Sequence, residues 1–256
     1  MFSNLRSSTI LILGLATLIG CSREAQQNQP VRTTTEQGSS AAPPARQSAE
    51  RDKALVRVVH AMPTGPKVDV FADETLAFSN VSYKAVTPYN ELSDDRLTFR
   101  VRAAGGGVTT KPLAENSEML MGGHHYTVVP MEDDAGKPTV RVLADDLTPA
   151  PHDQARVRVI NASADAGEVD VVAKGRNKTI FGGVNFTSEA GYKDVEPMKG
   201  ALEVRREGKR EVLTTIPNQN WEPGKTYTII LAGRGKLEAI AIEDQIGINT
   251  ASVQRF

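Results

Sequence analysis

Two aspartates, Asp69 and Asp170, sit in the same tripeptide, Val-Asp-Val. Carboxylate oxygens are the ligands that calcium prefers, and the acidic pairs 133–134 and 145–146 add further candidates. None of these aspartates has the alternating Asp-x-Asp-x-Asp-Gly spacing of a dedicated calcium loop. We therefore predict that Asp69 and Asp170 accept backbone N–H bonds from the preceding loop, with calcium binding as the alternative.

The other groups that could do chemistry are four histidines, and zinc needs several nitrogen or sulfur ligands at one point. Adjacent side chains on a strand face opposite ways, so His124 and His125 do not easily ligate one ion. His60 and His152 are the remaining two, and the second copy has Asn161 in place of His60 and Thr226 in place of His125. We predict no metal site and no cofactor.

Catalytic and phosphate-binding signatures are also missing from the sequence. The tripeptide at 224–226, Gly-Lys-Thr, is similar to the end of a phosphate-binding loop, but Gln219 stands where that loop needs glycine, and a strand pattern follows. No Gly-x-Ser-x-Gly, His-Glu-x-x-His or Ser-x-x-Lys motif occurs. We expect no catalytic residue, and hence a protein that is not an enzyme.

The single cysteine, Cys21, follows an apolar run over 10–19 that is too short to span a bilayer. The sequence Leu-Ile-Gly-Cys at 18–21 resembles the bacterial lipobox. That resemblance implies a signal peptide over 1–20, cleavage before Cys21 and acyl chains such as palmitate on this residue. Two or three chains hold a protein durably on a membrane. The predicted location is the cell envelope, and the following Ser22 favours the outer membrane if the host is Gram-negative.

The segment 21–53 is rich in Gln, Ser, Thr, Ala and Pro and has no aromatic residue. Such a composition buries too little apolar surface to offset chain entropy, and it predicts a disordered tether. The net charge of the whole chain is −1. A nucleic-acid partner would need a clustered basic face, so we expect no nucleic-acid binding.

After the tether, the sequence repeats itself. The stretch at 56–70, VRVVHAMPTGPKVDV, and that at 157–171, VRVINASADAGEVDV, are identical at 7 of 15 positions. The match extends from Tyr89 to Tyr192, from 123–129 to 224–230, and from the acidic 144–146 to 242–244. The chain is thereby divided into repeat 1 (54–147), a proline-containing linker (148–154), repeat 2 (155–246) and a C-terminal tail (247–256).

Short segments rich in Val, Ile, Leu, Thr and Tyr, separated by Gly, Pro, Asn and Asp, are typical of an all-β protein. In the segment at 96–102 the residues Leu97, Phe99 and Val101 alternate with polar ones, which predicts one core face and one solvated face. Each copy is long enough to close its own core. We predict an all-β protein of two tandem antiparallel β-sandwiches, immunoglobulin-like, after the tether.

The opening pattern at 56–70, an aromatic residue at Tyr89 and Tyr-Thr-Val-Val at 126–129 resemble the bacterial "domain of unknown function 4397" family, from Leu55 to about Ile246. The resemblance implies a surface-exposed sandwich, often in tandem, with no known chemistry. The opening loops depart from the family pattern, so no ligand role is carried over to them. The departures are Met62, Thr64 and Gly65 in copy one and Asn161, Ala164 and Gly167 in copy two.

We therefore expect a non-catalytic binding, adhesion or structural lipoprotein of the cell envelope. Its predicted partners are the membrane, through acyl chains on Cys21, and an envelope protein or glycan bound at loops 61–66 and 162–167. The alternative is a metal-dependent receptor or enzyme with its site between the two domains. The candidate binding residues are His60, Pro63, Asp69, Asn161, Asp165 and Asp170.

Overall fold

The computed structural model describes residues 53–176 and 178–245, together with the backbone of a strand at 253–255. The described chain is all-β and forms two sandwich-like halves, which confirms the predicted fold class. The predicted signal peptide at 1–20, Cys21, the predicted tether before residue 53 and the predicted tail at 247–256, apart from the backbone of 253–255, lie outside the described residues. Among the residues described, no helix has the length and apolar character needed to cross a membrane.

The first half contains eight strands in two sheets. One sheet has the order β4-β1-β7-β8, and the other has the order β3-β2-β5-β6. The strands are β1 (Lys53–Val58), β2 (Val68–Ala72), β3 (Thr75–Val81), β4 (Asn90–Ser93), β5 (Arg96–Ala103), β6 (Ala114–Met119), β7 (His125–Glu132) and β8 (Pro138–Asp145).

The second half repeats this topology with the orders β12-β9-β15-β16-β17 and β11-β10-β13-β14. A short 3-10 helix at Ala164–Ala166 follows its first strand. The strands are β9 (Ala155–Asn161), β10 (Val169–Ala173), β11 (Lys178–Val184), β12 (Glu189–Val195), β13 (Met198–Arg206), β14 (Val212–Trp221), β15 (Thr226–Ala232), β16 (Glu238–Asp244) and β17 (Val253–Arg255).

Each half contains one parallel strand pair among antiparallel ones. In the first half β1 runs parallel to β7, and in the second half β9 runs parallel to β15. A hydrophobic pattern fixes which face of a strand is buried but not the direction of its neighbour. The parallel pairs were therefore not visible in the sequence, although the structure uses the same pair in both copies.

Each half has its own apolar core between its two sheets. Leu97, Phe99 and Val101 all point into the core of the first half, as the alternation in the sequence predicts. The corresponding residues of β13, Leu202 and Val204, point into the core of the second half. Residues 148–154, between β8 and β9, contain no strand.

A third apolar cluster joins the two halves, although the sequence suggested two separately closed units. It contains Val129 and Met131 from β7 and Ile230 from β15, whereas the neighbouring Val128 and Ile229 point into the separate cores. Strands β7 and β15 are consequently buried on both faces. The four sheets form four layers, with the β1-containing and β9-containing sheets stacked face to face in the middle.

Candidate functional site

A cluster of ionisable side chains is buried where the two central sheets meet. Arg57 of β1 donates through Nη2 to the Asp244 carboxylate at 2.6 Å, and Arg158 of β9 forms the matching ion pair with Asp145. Each arginine therefore reaches the aspartate of the other half. The four side chains expose 1% or less of their surface. We call these four residues, with the neighbouring Thr127, Thr228, Tyr89 and Tyr192, the charge cluster.

Threonines and tyrosines complete the charge cluster with nearly the same geometry in both copies. Arg57 Nε donates to the Thr127 hydroxyl at 2.9 Å, and that hydroxyl donates to Asp145. In the second half Arg158 Nε donates to Thr228 at 3.0 Å, and Thr228 donates to Asp244 at 2.6 Å.

The two tyrosines lie against the arginines. The Arg57 guanidinium stands 4.9 Å from the centre of the Tyr89 ring, and Arg158 stands 4.6 Å from that of Tyr192. The Tyr89 hydroxyl donates to Asp145 at 2.6 Å, and the Tyr192 hydroxyl donates to Asp244 at 3.3 Å. Such stacking of a desolvated cation on an aromatic ring is favourable.

The charges of the cluster balance and hold each other in the ionised state. Burial alone opposes ionisation of Asp145, but Arg158 and Arg57, with hydrogen bonds from Tyr89 and Thr127, hold its pKa below the ordinary value. Burial likewise disfavours charged Arg57, but Asp244 and Asp145 outweigh this effect and raise its pKa. Burial raises the pKa of Tyr89, so its phenol stays protonated. The cluster fixes the two halves against each other, and its four charged side chains are shielded from solvent.

His60, which follows β1, and Asn161, the last residue of β9, make equivalent hydrogen bonds in the two halves. Both are buried. The His60 ring accepts from the Met62 N–H at 3.2 Å and donates to the Pro66 carbonyl at 3.0 Å. Asn161 accepts from the Ser163 N–H at 3.1 Å and donates to the Gly167 carbonyl at 2.7 Å. Each side chain therefore holds the loop that follows the first strand of its half.

The predicted pair Asp69 and Asp170 accept backbone N–H bonds, but the donors do not belong to the preceding loop. Asp69 accepts from Asn80 at 2.7 Å and Gly105 at 2.8 Å. Asp170 accepts from Gly183 at 3.0 Å and Gly208 at 3.1 Å. Each aspartate therefore ties the β2–β3 or β10–β11 hairpin to the turn after β5 or β13.

Pro63 and Asp165 are the two predicted residues that the structure brings together. They line a cavity of about 10 Å³ at the junction of the halves, which is the space of about one water molecule. Glu132 closes the first-half side, because it accepts from the Thr64 N–H at 2.9 Å and pairs with Arg234 of the second half at 3.4 Å. This cavity has space for a water molecule but for no larger ligand.

The remaining histidines do not converge. His125 lies edge-on to Tyr89 with ring centres 5.0 Å apart, whereas His124 and His152 are exposed. Within 53–176 and 178–245, no three His, Cys, Asp or Glu side chains are arranged to hold a metal ion. The turn at 222–225 leads directly into β15, without a helix that could cradle phosphate.

The sequence comparison missed the charge cluster because it aligned the acidic segments out of register. It matched 144–146 with 242–244, which would make Glu243 the counterpart of Asp145. In the structure His125 pairs with Asp145 and Thr226 pairs with Asp244, so these two aspartates are the counterparts. The identical Arg57 and Arg158 were a usable signal, because an arginine repeated within an apolar strand needs a partner.

The residues from 54 to 172 match the model of the family described as "Domain of unknown function (DUF4397)". The match spans the first half, crosses the linker and ends within β10 of the second half. No curated protein matches the chain.

Proposed function

We propose that this protein is a non-catalytic binding or structural module of the cell envelope. The premise is that residues 54–172 belong to the family described as "Domain of unknown function (DUF4397)". The family and the β-sandwich fold are compatible with such a module. The specific proposal is a lipoprotein, anchored through acyl chains on Cys21, that presents a two-domain body to an envelope protein or glycan.

The observation that carries the non-catalytic part is the sealed charge cluster. Catalytic groups with shifted pKa values normally lie in a cleft that substrate can enter. Here Arg57, Asp145 and Arg158 have shifted pKa values and lie in the contact between the two halves. These charged groups form the ion pairs that join the two halves.

The surface that a ligand could contact is formed by the loops and not by the charge cluster. In loop 61–66 the exposed positions include Thr64 and Pro66, and in loop 162–167 Asp165 is exposed. The buried His60 and Asn161 support these loops from below. A ligand would therefore contact the exposed loop residues. Of the six candidate binding residues named from the sequence, some would contact the ligand, and the others would hold the loops in place.

The anchoring proposal is tested by feeding cells a palmitate analogue that can be tagged. The full chain should incorporate the label and fractionate with membranes, and Cys21→Ser should lose both. A labelled Cys21→Ser chain, or an unlabelled wild-type chain, contradicts lipidation.

The binding proposal is tested by crosslinking the full chain to its neighbours in intact cells and by repeating the capture from envelope extracts. Thr64→Arg and Asp165→Arg, which add bulk to exposed loop positions, should reduce capture, while Asp153→Arg, at an exposed position before the start of β9, should not. Capture abolished by a chelator would favour the alternative, a metal-dependent receptor. Turnover of an envelope glycan or peptide by the purified chain would favour an enzyme.

A further inference from the structure

Each half has a groove that is bordered by one edge strand from each of its two sheets. In the first half these strands are β3 and β4, and in the second half they are β11 and β12. The charged side chains that border the grooves are exposed. The acidic side chains in and beside the first groove are named the acidic strip, which is Asp73, Glu74, Glu91, Asp94 and Asp95. The basic side chains in and beside the second groove are named the basic strip, which is Lys174, Arg176, Lys178, Lys193 and Lys199. Opposite charges line the grooves as well, namely Lys53 in the first and Asp194 and Glu196 in the second.

The two strips occupy equivalent places in the duplicated fold but carry opposite charge. Asp73 and Glu74 form the β2–β3 turn, and Lys174 and Arg176 belong to the β10–β11 turn. The two strips keep opposite net charge when neighbouring residues of the opposite sign are counted as well. Segments 73–76 and 90–96 with Lys53 hold five acidic and two basic residues, whereas 174–178 and 193–199 hold five basic and two acidic ones.

Apolar side chains lie in both grooves, between the charged turns. Leu76 lines the first groove and exposes 49% of its surface. Ile180 and Met198 line the second groove and are half-buried. Docking the two grooves against each other would remove these apolar groups from water and leave the charges at the rim, which is the usual anatomy of a protein interface.

The strips lie on opposite sides of the four-layer body, so one chain cannot bring its own strips together. The central sheets have the orders β4-β1-β7-β8 and β12-β9-β15-β16-β17. Arg57 of β1 meets Asp244 of β16, and Arg158 of β9 meets Asp145 of β8. The sheets therefore stack with reversed order, and β4 and β12 stand at opposite edges.

We propose that the chain associates head to tail with a second copy of itself, the acidic strip of one molecule docking on the basic strip of the next. Edge strands with charged residues normally resist pairing with one another. Opposite charges on equivalent edges keep like edges apart and attract unlike ones. Because the strips stand on opposite edges, the contact is heterologous and can continue into an open row of molecules.

Sedimentation velocity of the full chain tests the proposal. The chain is kept in non-ionic detergent so that its N-terminal segment behaves alike in every variant. Wild type should associate as its concentration rises at low salt. It should dissociate at about 1 M salt, where the screening length falls to about 3 Å.

Two charge-reversed variants sharpen the test. The first carries Asp73→Lys, Glu74→Lys and Glu91→Lys, and the second carries Lys174→Glu, Arg176→Glu and Lys193→Glu. Each alone should associate more weakly by roughly a hundredfold, because like charges then face each other across the contact. A mixture of the two should associate again, because each variant then offers the other an oppositely charged strip.

A matched control reverses charges elsewhere, with Lys209→Glu and Arg210→Glu on the exposed turn between β13 and β14, and should associate like wild type. Thermal unfolding of every variant checks that the fold is kept. A wild-type chain that stays monomeric, or a mixture that stays dissociated, overturns the proposal. Binding of a monomeric chain to phosphatidylglycerol vesicles through the basic strip also overturns it, since that strip would then face a membrane.

Discussion

The Arg57 guanidinium lies 2.6 Å from the Asp244 carboxylate, and both side chains are shielded from solvent. The two residues are 187 positions apart in the chain and belong to different halves. Because the loss of either group leaves the buried charge of the other without its closest partner, this contact couples the folding of one half to that of the other. The stability of the protein should therefore respond sharply to the loss of either group.

Arg57→Met should lower the free energy of unfolding by about 3 to 5 kcal/mol, because it leaves the Asp244 carboxylate buried without its closest cation. Adding Asp244→Leu should recover part of that loss, since the second substitution removes the unpaired charge. Urea unfolding of the two single variants and the double variant gives the coupling energy between the sites.

The control for this cycle is the exposed ion pair of Lys178 and Glu196, whose side chains expose 59% and 74% of their surface. Removing it with Lys178→Met should leave the unfolding midpoint close to that of wild type, because exposed pairs are screened by solvent. Strictly additive losses for Arg57 and Asp244 would show that the two groups do not depend on each other.

His60 should make the first half sensitive to acid. Burial lowers the pKa of His60 from its ordinary value of 6.5. Below about pH 6.5 the unfolded chain takes up a proton that the folded chain resists, so stability should fall as the pH falls through this window. Protonation would also remove the acceptor of the Met62 N–H bond.

His60→Asn copies the arrangement of Asn161 in the second half and cannot titrate. The variant should therefore lose less stability than wild type between pH 7 and pH 5, measured by urea unfolding at each pH. Burial also lowers the pKa of His125, which contributes a slope of the same sign that should persist in this variant.

Asp69→Ala should lower the free energy of unfolding by about 1 to 3 kcal/mol, because it leaves the N–H groups of Asn80 and Gly105 without an acceptor. Asp170→Ala should cost less, since Asp170 is half-buried and water can reach its donors more easily. Thermal unfolding measures these losses. The control is the exposed Asp153, since Asp153→Ala should leave the free energy of unfolding unchanged. Calcium that stabilises wild type but not Asp69→Ala would instead support the cation alternative.

The sequence predicted well where a strand has one buried and one wet face. The alternation of Leu97, Phe99 and Val101 identified the core of the first half correctly. It predicted less well for Arg102, which was expected to face water. The structure buries Arg102 on the outer face, where it donates to the Thr110 carbonyl at 2.7 Å and stacks 4.8 Å from the Phe71 ring.

Burial of the outer faces of the central sheets was harder to predict, because a threonine that alternates with core residues usually indicates a face exposed to solvent. In β15 the alternation of Tyr227, Ile229 and Leu231 with Thr228 and Ile230 predicts one core face and one solvated face. The face predicted to be solvated is buried because the second half packs on the first, and Thr228 belongs to the charge cluster. Contacts between halves depend on how whole sheets stack, which the period of one strand does not contain.

Gly233 follows β15 at the junction of the two halves and should not tolerate a side chain. Its φ of +117° is a conformation that only glycine adopts readily, and an added Cβ would clash with the carbonyl oxygen of Lys236. The Gly233 carbonyl also accepts from the Ser163 hydroxyl at 2.9 Å. Gly233→Ala should lower the free energy of unfolding by about 2 kcal/mol or more, measured by thermal unfolding, because of backbone strain and displacement of this bond.

The control is Gly191→Ala, on edge strand β12 with open space around it, which should be neutral or stabilising. Equal melting temperatures for the two variants would show that the turn at Gly233 relaxes without disturbing the junction.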